Sequence, residues 1–146
     1  MGETPMSSHK ITGSCQCGAV HYETNADPLF AGHCHCNTCK KASGAGHVSA
    51  LFVPKDSFKI TGETTKFTSI GDSGSPITRH FCPTCGSRLY GEPERAGHVV
   101  GIMVGTLDNP ETFSPQFQIY TKNRTSWDHI NCDLPEFEAA PPPQSE

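Results

Sequence analysis

The chain has 146 residues, a formal net charge of −4 and no long apolar run, which together exclude several classes of protein. A membrane-spanning helix needs about 20 consecutive apolar residues, and a nucleic-acid-binding domain usually carries a basic face. The sequence contains neither, and its first ten residues, MGETPMSSHK, lack the charged start and apolar stretch of a signal peptide. We therefore expect a cytoplasmic protein with no nucleic-acid partner and no membrane partner.

The composition predicts a folded domain with a thin apolar core. Leu, Ile, Val and Phe contribute 26 residues, a share of about 18%, which is low for a globular domain. The 14 glycines and 12 prolines favour short strands joined by turns over a helical bundle. A domain of this kind needs stabilisation beyond its core, and the eight cysteines are the residues best suited to supply it.

The predicted elements, taken in chain order, give a mainly β fold. Short apolar and β-branched runs recur about every ten residues with glycine-containing turns between them, which is typical of all-β domains. The predicted strands cover residues 19–24, 47–53, 58–61, 66–70, 78–81, 88–90, 98–107 and 117–121. One short helix is predicted over Asn37–Ser43, with Gly44 as its stop.

The chain is predicted to form a single domain between two irregular ends. The domain covers residues 11–135, after a flexible N-terminus at 1–10. A proline-rich tail at 136–146 is expected to be disordered.

Seven of the eight cysteines fall into three tight groups. The groups are Cys15 with Cys17, Cys34 with Cys36 and Cys39, and Cys82 with Cys85, whereas Cys132 stands alone. Such groups in a protein of the reducing cytoplasm favour metal ligation over disulfides. A disulfide framework is the alternative. A redox-active pair at positions 82 and 85 is a second alternative, although the alternating strand and helix pattern of redox domains is missing.

Two of these groups suffice for a closed zinc site. Structural zinc takes four ligands, usually thiolates, and keeps no open position. The cysteine pairs at 15/17 and 82/85 supply four thiolates and would link the start of the domain to its middle. Because such a site is assembled only in the folded chain, its binding free energy becomes folding free energy.

The remaining group, Cys34, Cys36 and Cys39, predicts a second and different zinc site. Three protein ligands with a free position are typical of catalytic zinc. A thiol could take that position and lose its proton on coordination, and water or a carbonyl oxygen is the alternative. A closed site, completed by a nearby histidine or by Cys132, also stays open. Two zinc ions per chain are expected.

Candidate substrate contacts follow from proximity and charge. His33 and His35 flank the three-cysteine group, and Lys40 follows it directly. Trp127 is the only tryptophan and is either a packing residue or a platform for a ligand. The cations considered, by charge and position only, are Lys40, Lys41, Lys122 and Arg124.

Several segments of the sequence resemble one family. They are GSCQCGAVHYE at 13–23, HCHCNTCKKASGAG at 33–46, FKITGE at 58–63, HFCPTCGSRLY at 80–90 and VGTLDNPETFSPQFQIYTKNRTSW at 104–127, followed by the Leu134-Pro135 pair. The chain thereby resembles the glutathione-dependent formaldehyde-activating enzyme and centromere protein V family over about residues 13–135. The order and spacing of the three cysteine groups make this resemblance specific.

The resemblance implies a zinc-stapled β-tent of short antiparallel strands with one short helix. It implies a structural zinc on Cys15, Cys17, Cys82 and Cys85, and a catalytic zinc on Cys34, Cys36 and Cys39. The implied activity is the addition of glutathione to formaldehyde, classed as a carbon–sulfur lyase for the reverse reaction. The glutathione sulfur would occupy the open zinc position and attack the formaldehyde carbon as a thiolate.

Three functions are carried forward. The first is the zinc-dependent addition of glutathione to formaldehyde or a related small carbonyl. The second is the same fold acting on another small molecule, which a pocket without positive charge would favour because glutathione carries two carboxylates. The third is a non-catalytic interaction module whose two zinc sites are both closed. The sequence makes no prediction of the oligomeric state.

Overall fold

The computed structural model describes residues 10–130 and 133–140 of the chain. The predicted flexible N-terminus therefore lies outside the described residues except for Lys10, and so does Cys132. No helix in the described ranges is long and apolar enough to cross a membrane.

Ten short strands and one α-helix form the described part of the fold. The strands are β1 (Ile11–Ser14), β2 (His21–Thr24), β3 (Phe30–Cys34), β4 (Val48–Pro54), β5 (Lys59–Thr61), β6 (Thr65–Ile70), β7 (Pro76–Phe81), β8 (Arg88–Pro93), β9 (Val99–Met103) and β10 (Gln118–Ile119). The helix is α1 (Asn37–Ser43), and short 3₁₀ helices cover Lys55–Ser57, Glu94–Ala96, Val104–Thr106, Pro110–Thr112 and Thr121–Asn123.

The strands form two sheets. The larger has seven strands in the order β10-β3-β4-β9-β8-β7-β6, and the smaller has three in the order β1-β2-β5. The mainly β fold with one short helix is confirmed. Neighbouring strands run antiparallel as expected, with one difference: β10 lies parallel to β3.

One small core connects the two sheets. Ile11 and Tyr22 of the smaller sheet belong to the same buried cluster as Leu51, Leu89 and Ile102 of the larger sheet. Cys15 and Cys82 are also members of this cluster. The cysteine pairs of the predicted closed zinc site are therefore continuous with the core.

The helix has the predicted bounds, whereas several strands differ from the prediction. Gly44 ends the helix in the left-handed region at φ 76°, where glycine has no steric penalty. The strands β1 and β3 are absent from the prediction because each is short and contains a glycine, which weakens the β-strand signal. The predicted strand at 98–107 ends at Met103, where a 3₁₀ helix follows.

The expected disorder at 136–146 does not hold for residues 136–140. Phe137 N–H donates to the Gln118 carbonyl at 2.9 Å, and Tyr120 N–H donates to the Ala139 carbonyl at 3.2 Å. Strand β10 lies at the edge of its sheet, where the outer backbone groups of a strand can pair with another segment, and this segment pairs with them. Residues 141–146 lie outside the described residues.

Candidate metal centres and the adjoining cavity

Cys15, Cys17, Cys82 and Cys85 form the first candidate metal centre. Their four Sγ atoms lie within 4.8 Å of one another. Cys17 Sγ is 3.7 Å from Cys15 Sγ and 3.7 Å from Cys82 Sγ. Four thiolates around a tetrahedral zinc, with Zn–S bonds of about 2.3 Å, have sulfurs about 3.8 Å apart. The donor set and its spacing therefore fit a zinc ion.

Backbone amides in two tight turns face the sulfurs of this centre. Val20 N–H donates to Cys15 Sγ at 3.3 Å, and Thr84 N–H donates to Cys82 Sγ at 3.3 Å. Hydrogen bonds of this kind favour the thiolate over the thiol. The turns close through Gly18 at φ 83° and Gly86 at φ 80°, a conformation that residues with a Cβ rarely adopt.

Ser87 connects the two cysteine pairs. Gln16 N–H donates to Ser87 Oγ at 3.0 Å. The Ser87 hydroxyl lies 3.2 Å from Cys85 Sγ and lowers the pKa of that thiol to about 5. The segment after β1 and the segment after β7 are thus joined by hydrogen bonds as well as by the sulfur cluster.

Cys34, Cys36 and Cys39 form the second candidate metal centre, at the end of β3 and the start of α1. Their Sγ atoms also lie within 4.8 Å of one another, with 3.5 Å between Cys34 and Cys39. Cys36 is the N-cap of α1, and its sulfur accepts a hydrogen bond from Cys39 N–H at 3.2 Å. The Cys36 sulfur takes the role that a serine or aspartate oxygen usually has at this position.

The repulsion between neighbouring thiolates in this cluster favours binding of a cation. Contacts with Cys36 and Cys39 raise the pKa of the Cys34 thiol far above its usual range. Contacts with Cys34 and Cys36, together with the charge of Arg79, lower the pKa of Cys39 to about 3. One thiolate is favoured and a second is opposed, because adjacent negative charges repel each other. A soft divalent metal such as zinc would allow all three to ionise.

Within the described residues, the second centre has three members. None of the described histidines or carboxylates joins it within 4.8 Å. Cys132, which was considered as a fourth ligand, lies outside the described residues. Three sulfurs among the described residues match the ligand set of the predicted open site, and the open fourth position stays a prediction.

The second centre opens onto a cavity of about 210 Å³. Its wall is mainly apolar, with side chains from β4, β9, β10 and the segment before β10. They include Phe52, Met103, Phe117 and Ile119. Tyr120 also lines the cavity and has the left-handed backbone of φ 56°, which is uncommon for a bulky residue and marks local strain.

Two arginines on neighbouring strands bring positive charge to the same cavity. Arg79 Nη2 of β7 lies 4.0 Å from Cys39 Sγ. Arg88 of β8 has a buried Nε with no hydrogen-bond partner among the described residues. Burial and the charge of Arg79 lower the pKa of Arg88. Neither guanidinium forms an ion pair with a carboxylate of the described residues, so this region is suited to binding an anion.

Of the predicted substrate contacts, His33 lines the cavity, whereas His35, Lys40 and Trp127 are not among its described lining residues. The side chain of His35 is fully buried. Lys40 Nζ donates to the Asn123 carbonyl at 2.7 Å, and Trp127 is 69% exposed.

The additional candidate cations are also absent from the described cavity wall. They are Lys41, Lys122 and Arg124, and Arg124 pairs with Glu136 at 2.7 Å. Sequence reasoning missed Arg79 and Arg88. Their one sequence signal is that they flank the Cys82–Cys85 turn symmetrically, each three residues from a cysteine.

The two centres should respond differently to the loss of one thiol. We expect Cys82→Ser to abolish cooperative folding, because Cys82 belongs to the core cluster and metal binding there is coupled to folding. Cys36→Ser should leave the domain folded and remove about one zinc ion per chain. Circular dichroism and elemental analysis of both purified variants measure these outcomes. Equal loss of folding in both would contradict the distinction.

Known proteins resemble this chain over most of its length. The family model described as glutathione-dependent formaldehyde-activating enzyme matches residues 10–123. A protein of Halomonas elongata that carries this name is 29% identical over 126 residues, covering 82% of this chain and 80% of that protein. Proteins of the same name from Penicillium rubens and Fusarium vanettenii are each 28% identical to this chain over 94 residues, which is 64% of this chain. The matched regions cover 49% and 50% of those two fungal proteins.

A solved structure supports the same fold. The crystal structure of a Rhodobacter sphaeroides protein, a structural genomics target, superposes with a TM-score of 0.55 at 23% identity. The match covers 68% of this chain and 92% of that one. Because the family match extends over most of the described domain, with all three cysteine groups inside it, this chain belongs to the glutathione-dependent formaldehyde-activating enzyme family.

Proposed function

We propose that this protein is a cytoplasmic zinc-dependent enzyme that adds the thiol of glutathione to formaldehyde or a related small carbonyl. In the reverse direction the reaction is a carbon–sulfur lyase reaction. The observation that carries the proposal is one cavity lined both by the three-cysteine cluster and by two arginines that have no carboxylate partners among the described residues.

Cys34, Cys36 and Cys39 would hold the catalytic metal at the cavity wall. When bound there, zinc would lower the pKa of an incoming thiol so that it reacts as a thiolate. The other four clustered cysteines would hold the structural zinc.

Arg79 and Arg88 support glutathione as the thiol. Glutathione has two carboxylates, and a guanidinium binds a carboxylate through charge-assisted hydrogen bonds. Arg88 Nε has a buried proton without an acceptor among the described residues, and a carboxylate oxygen would satisfy it. A cavity without positive charge would have favoured another class of substrate, so these arginines support the first of the three functions.

The size of the cavity supports a small carbonyl as the second substrate. Pockets that enclose drug-sized ligands measure roughly 300–1,000 Å³, whereas this cavity measures about 210 Å³. The reacting sulfur, a one-carbon carbonyl and a carboxylate of glutathione at the two arginines would fit inside it, while the rest of glutathione extends towards the opening. The apolar wall at Phe52 and Phe117 would exclude most of the water.

Tyr120 is the group that we assign to the carbonyl oxygen. Burial, together with negative charge on Cys34 and Cys36, raises the pKa of Tyr120, so its phenol keeps its proton. When the thiolate attacks the carbonyl carbon, the oxygen gains negative charge. The phenol O–H can donate a hydrogen bond to that oxygen and stabilise it in the transition state.

The proposed reaction can be measured at equilibrium. Thiols add to formaldehyde without a catalyst, so the readout is the enzyme-dependent exchange rate between free glutathione and S-hydroxymethylglutathione in NMR exchange spectra. We expect the zinc-loaded protein to accelerate this exchange and Cys36→Ser to remove the acceleration while the domain stays folded. Exchange at the uncatalysed rate with the intact protein would refute the proposed function.

Replacement of the two arginines should weaken glutathione binding selectively. A hydrogen bond to a charged group contributes about 1.5–3 kcal/mol, so Arg79→Met and Arg88→Met should each raise KM for glutathione about 10- to 100-fold. Arg95→Met is the matched control, because Arg95 is exposed in the 3₁₀ helix Glu94–Ala96. With uncharged 2-mercaptoethanol as the thiol, all three variants should resemble the wild type. A similar loss with both thiols would assign the arginines a structural role.

Removal of the Tyr120 hydroxyl should affect turnover more than binding. We expect Tyr120→Phe to lower kcat by about 100-fold, the usual effect of losing one oxyanion donor, with KM for glutathione unchanged. Tyr22→Phe is the matched control, because the Tyr22 hydroxyl bonds Thr106 Oγ1 at 2.7 Å and does not contribute to the described cavity wall. An unchanged kcat in Tyr120→Phe would exclude the phenol from the reaction.

A further inference from the structure

A third cluster of metal-ligating atoms lies behind the three-cysteine centre. It consists of His35, His47 and Asp128, each of which has a ligand atom within 4.8 Å of those of the other two. Nδ1 is the atom of each histidine that faces Asp128 Oδ2. His35, His47 and Asp128 are not among the described residues that line the cavity, whereas Cys34 and Cys36 are. The cluster therefore adjoins the cavity wall, with the His47 ring centroid 5.2 Å from that of His33, and takes no part in the proposed reaction.

The hydrogen bond of His35 fixes which of its nitrogens carries a proton. His35 Nε2 lies 2.8 Å from Gln118 Oε1, and an amide oxygen can only accept. The Gln118 amide nitrogen faces Glu136 Oε2 at 3.5 Å, which supports this orientation of the amide. Nε2 is therefore the donor, and in the neutral ring Nδ1 carries a lone pair.

That lone pair is buried opposite a carboxylate. His35 has no exposed surface, and its Nδ1 has no hydrogen-bond partner among the described residues. The nearest acidic atom is Asp128 Oδ2 at 3.5 Å, which lies 2.8 Å from His47 Nδ1. Two electron-rich atoms facing each other in a buried site are unfavourable unless positive charge lies between them.

We propose that His35, His47 and Asp128 bind a divalent transition metal ion of the zinc class, in addition to the two cysteine centres. Two imidazoles and one carboxylate are ligands that zinc accepts. Zinc bonds of about 2.0–2.2 Å place neighbouring tetrahedral ligand atoms about 3.4 Å apart, and the two distances to Asp128 Oδ2 lie on either side of that value. A lone pair at His35 Nδ1 is the form that coordinates a metal.

The site is reachable from solvent on one side. The side chains of His47 and Asp128 are 25% and 10% exposed, whereas that of His35 is 0% exposed. Three protein ligands leave a coordination position towards that exposed side. The ion would join three separate segments: the end of β3, the residues before β4 and the loop that contains Trp127.

Trp127 provides a local reporter of this site. It is the only tryptophan of the chain and the neighbour of Asp128 in sequence. Its ring lies against Gly46, because a Cβ at Gly46 would come within 2.9 Å of Trp127 Cζ3. A paramagnetic ion bound by Asp128 and His47 would quench the fluorescence of this ring.

The first test counts zinc in the full chain at saturating Zn²⁺, by elemental analysis and X-ray absorption at the zinc edge. We expect about three ions per chain and an average of about 2.3 sulfurs per zinc, because seven thiolates are shared among three ions. Two ions with an average of about 3.5 sulfurs would overturn the proposal. This test does not depend on any enzymatic activity, so its failure and the failure of the proposed reaction are distinguishable.

The second test assigns the ion to these residues. His47→Gln and Asp128→Asn should each bind one zinc ion fewer than the wild type. In both variants, added Co²⁺ should no longer quench the fluorescence of Trp127. The matched controls are His98→Gln and Asp56→Asn, which change exposed residues elsewhere and should retain both. Unchanged zinc content in the first two variants would overturn the assignment. If those variants fail to fold, the sulfur average of the wild type decides the matter.

Discussion

Crowding of sulfur atoms at the first centre is the constraint on which the rest of the structure depends. Cys15 follows β1 of the smaller sheet and Cys82 follows β7 of the larger sheet, and both belong to the buried core. Four ionised thiols this close repel one another, and a bound cation converts that repulsion into attraction. The thin apolar core is thus completed by a polar junction that connects the two sheets.

The same junction orients the groups that face the cavity. Arg79 lies before the Cys82–Cys85 turn on β7, and Arg88 lies after it on β8, so the turn fixes the register in which these strands pair. That register contains an irregularity between His80 and Phe81, which changes the alternation of side chains along β7. The first centre, which does not hold the reacting atoms of the proposed reaction, therefore determines the positions of the charges proposed to bind substrate.

The spacing of residues close together in the sequence predicted local structure, whereas the pairing of distant strands could not be predicted from the sequence. Turn and capping signals predicted α1 with its observed bounds, and cysteine spacing predicted which sulfurs lie together. The strands β1 and β3 were not predicted, because pairing with neighbouring strands, rather than intrinsic β propensity, holds such short glycine-containing segments extended. Arg79 and Arg88 could not be assigned to the cavity, since their direction depends on strand order and on the irregularity in β7.

The pairing of β10 has a consequence for access to the cavity. This strand has only two residues, yet the cavity wall includes Ile119 within it and Tyr120 directly after it. Backbone bonds from residues 135–139 support it on its outer side. Local unfolding begins where few hydrogen bonds must break, so we expect this wall to open at a lower free energy than the wall formed by β4 and β9. Ligand exchange and the anchoring of the C-terminal segment are thereby linked, and shortening the chain near residue 140 would alter how long a ligand stays bound.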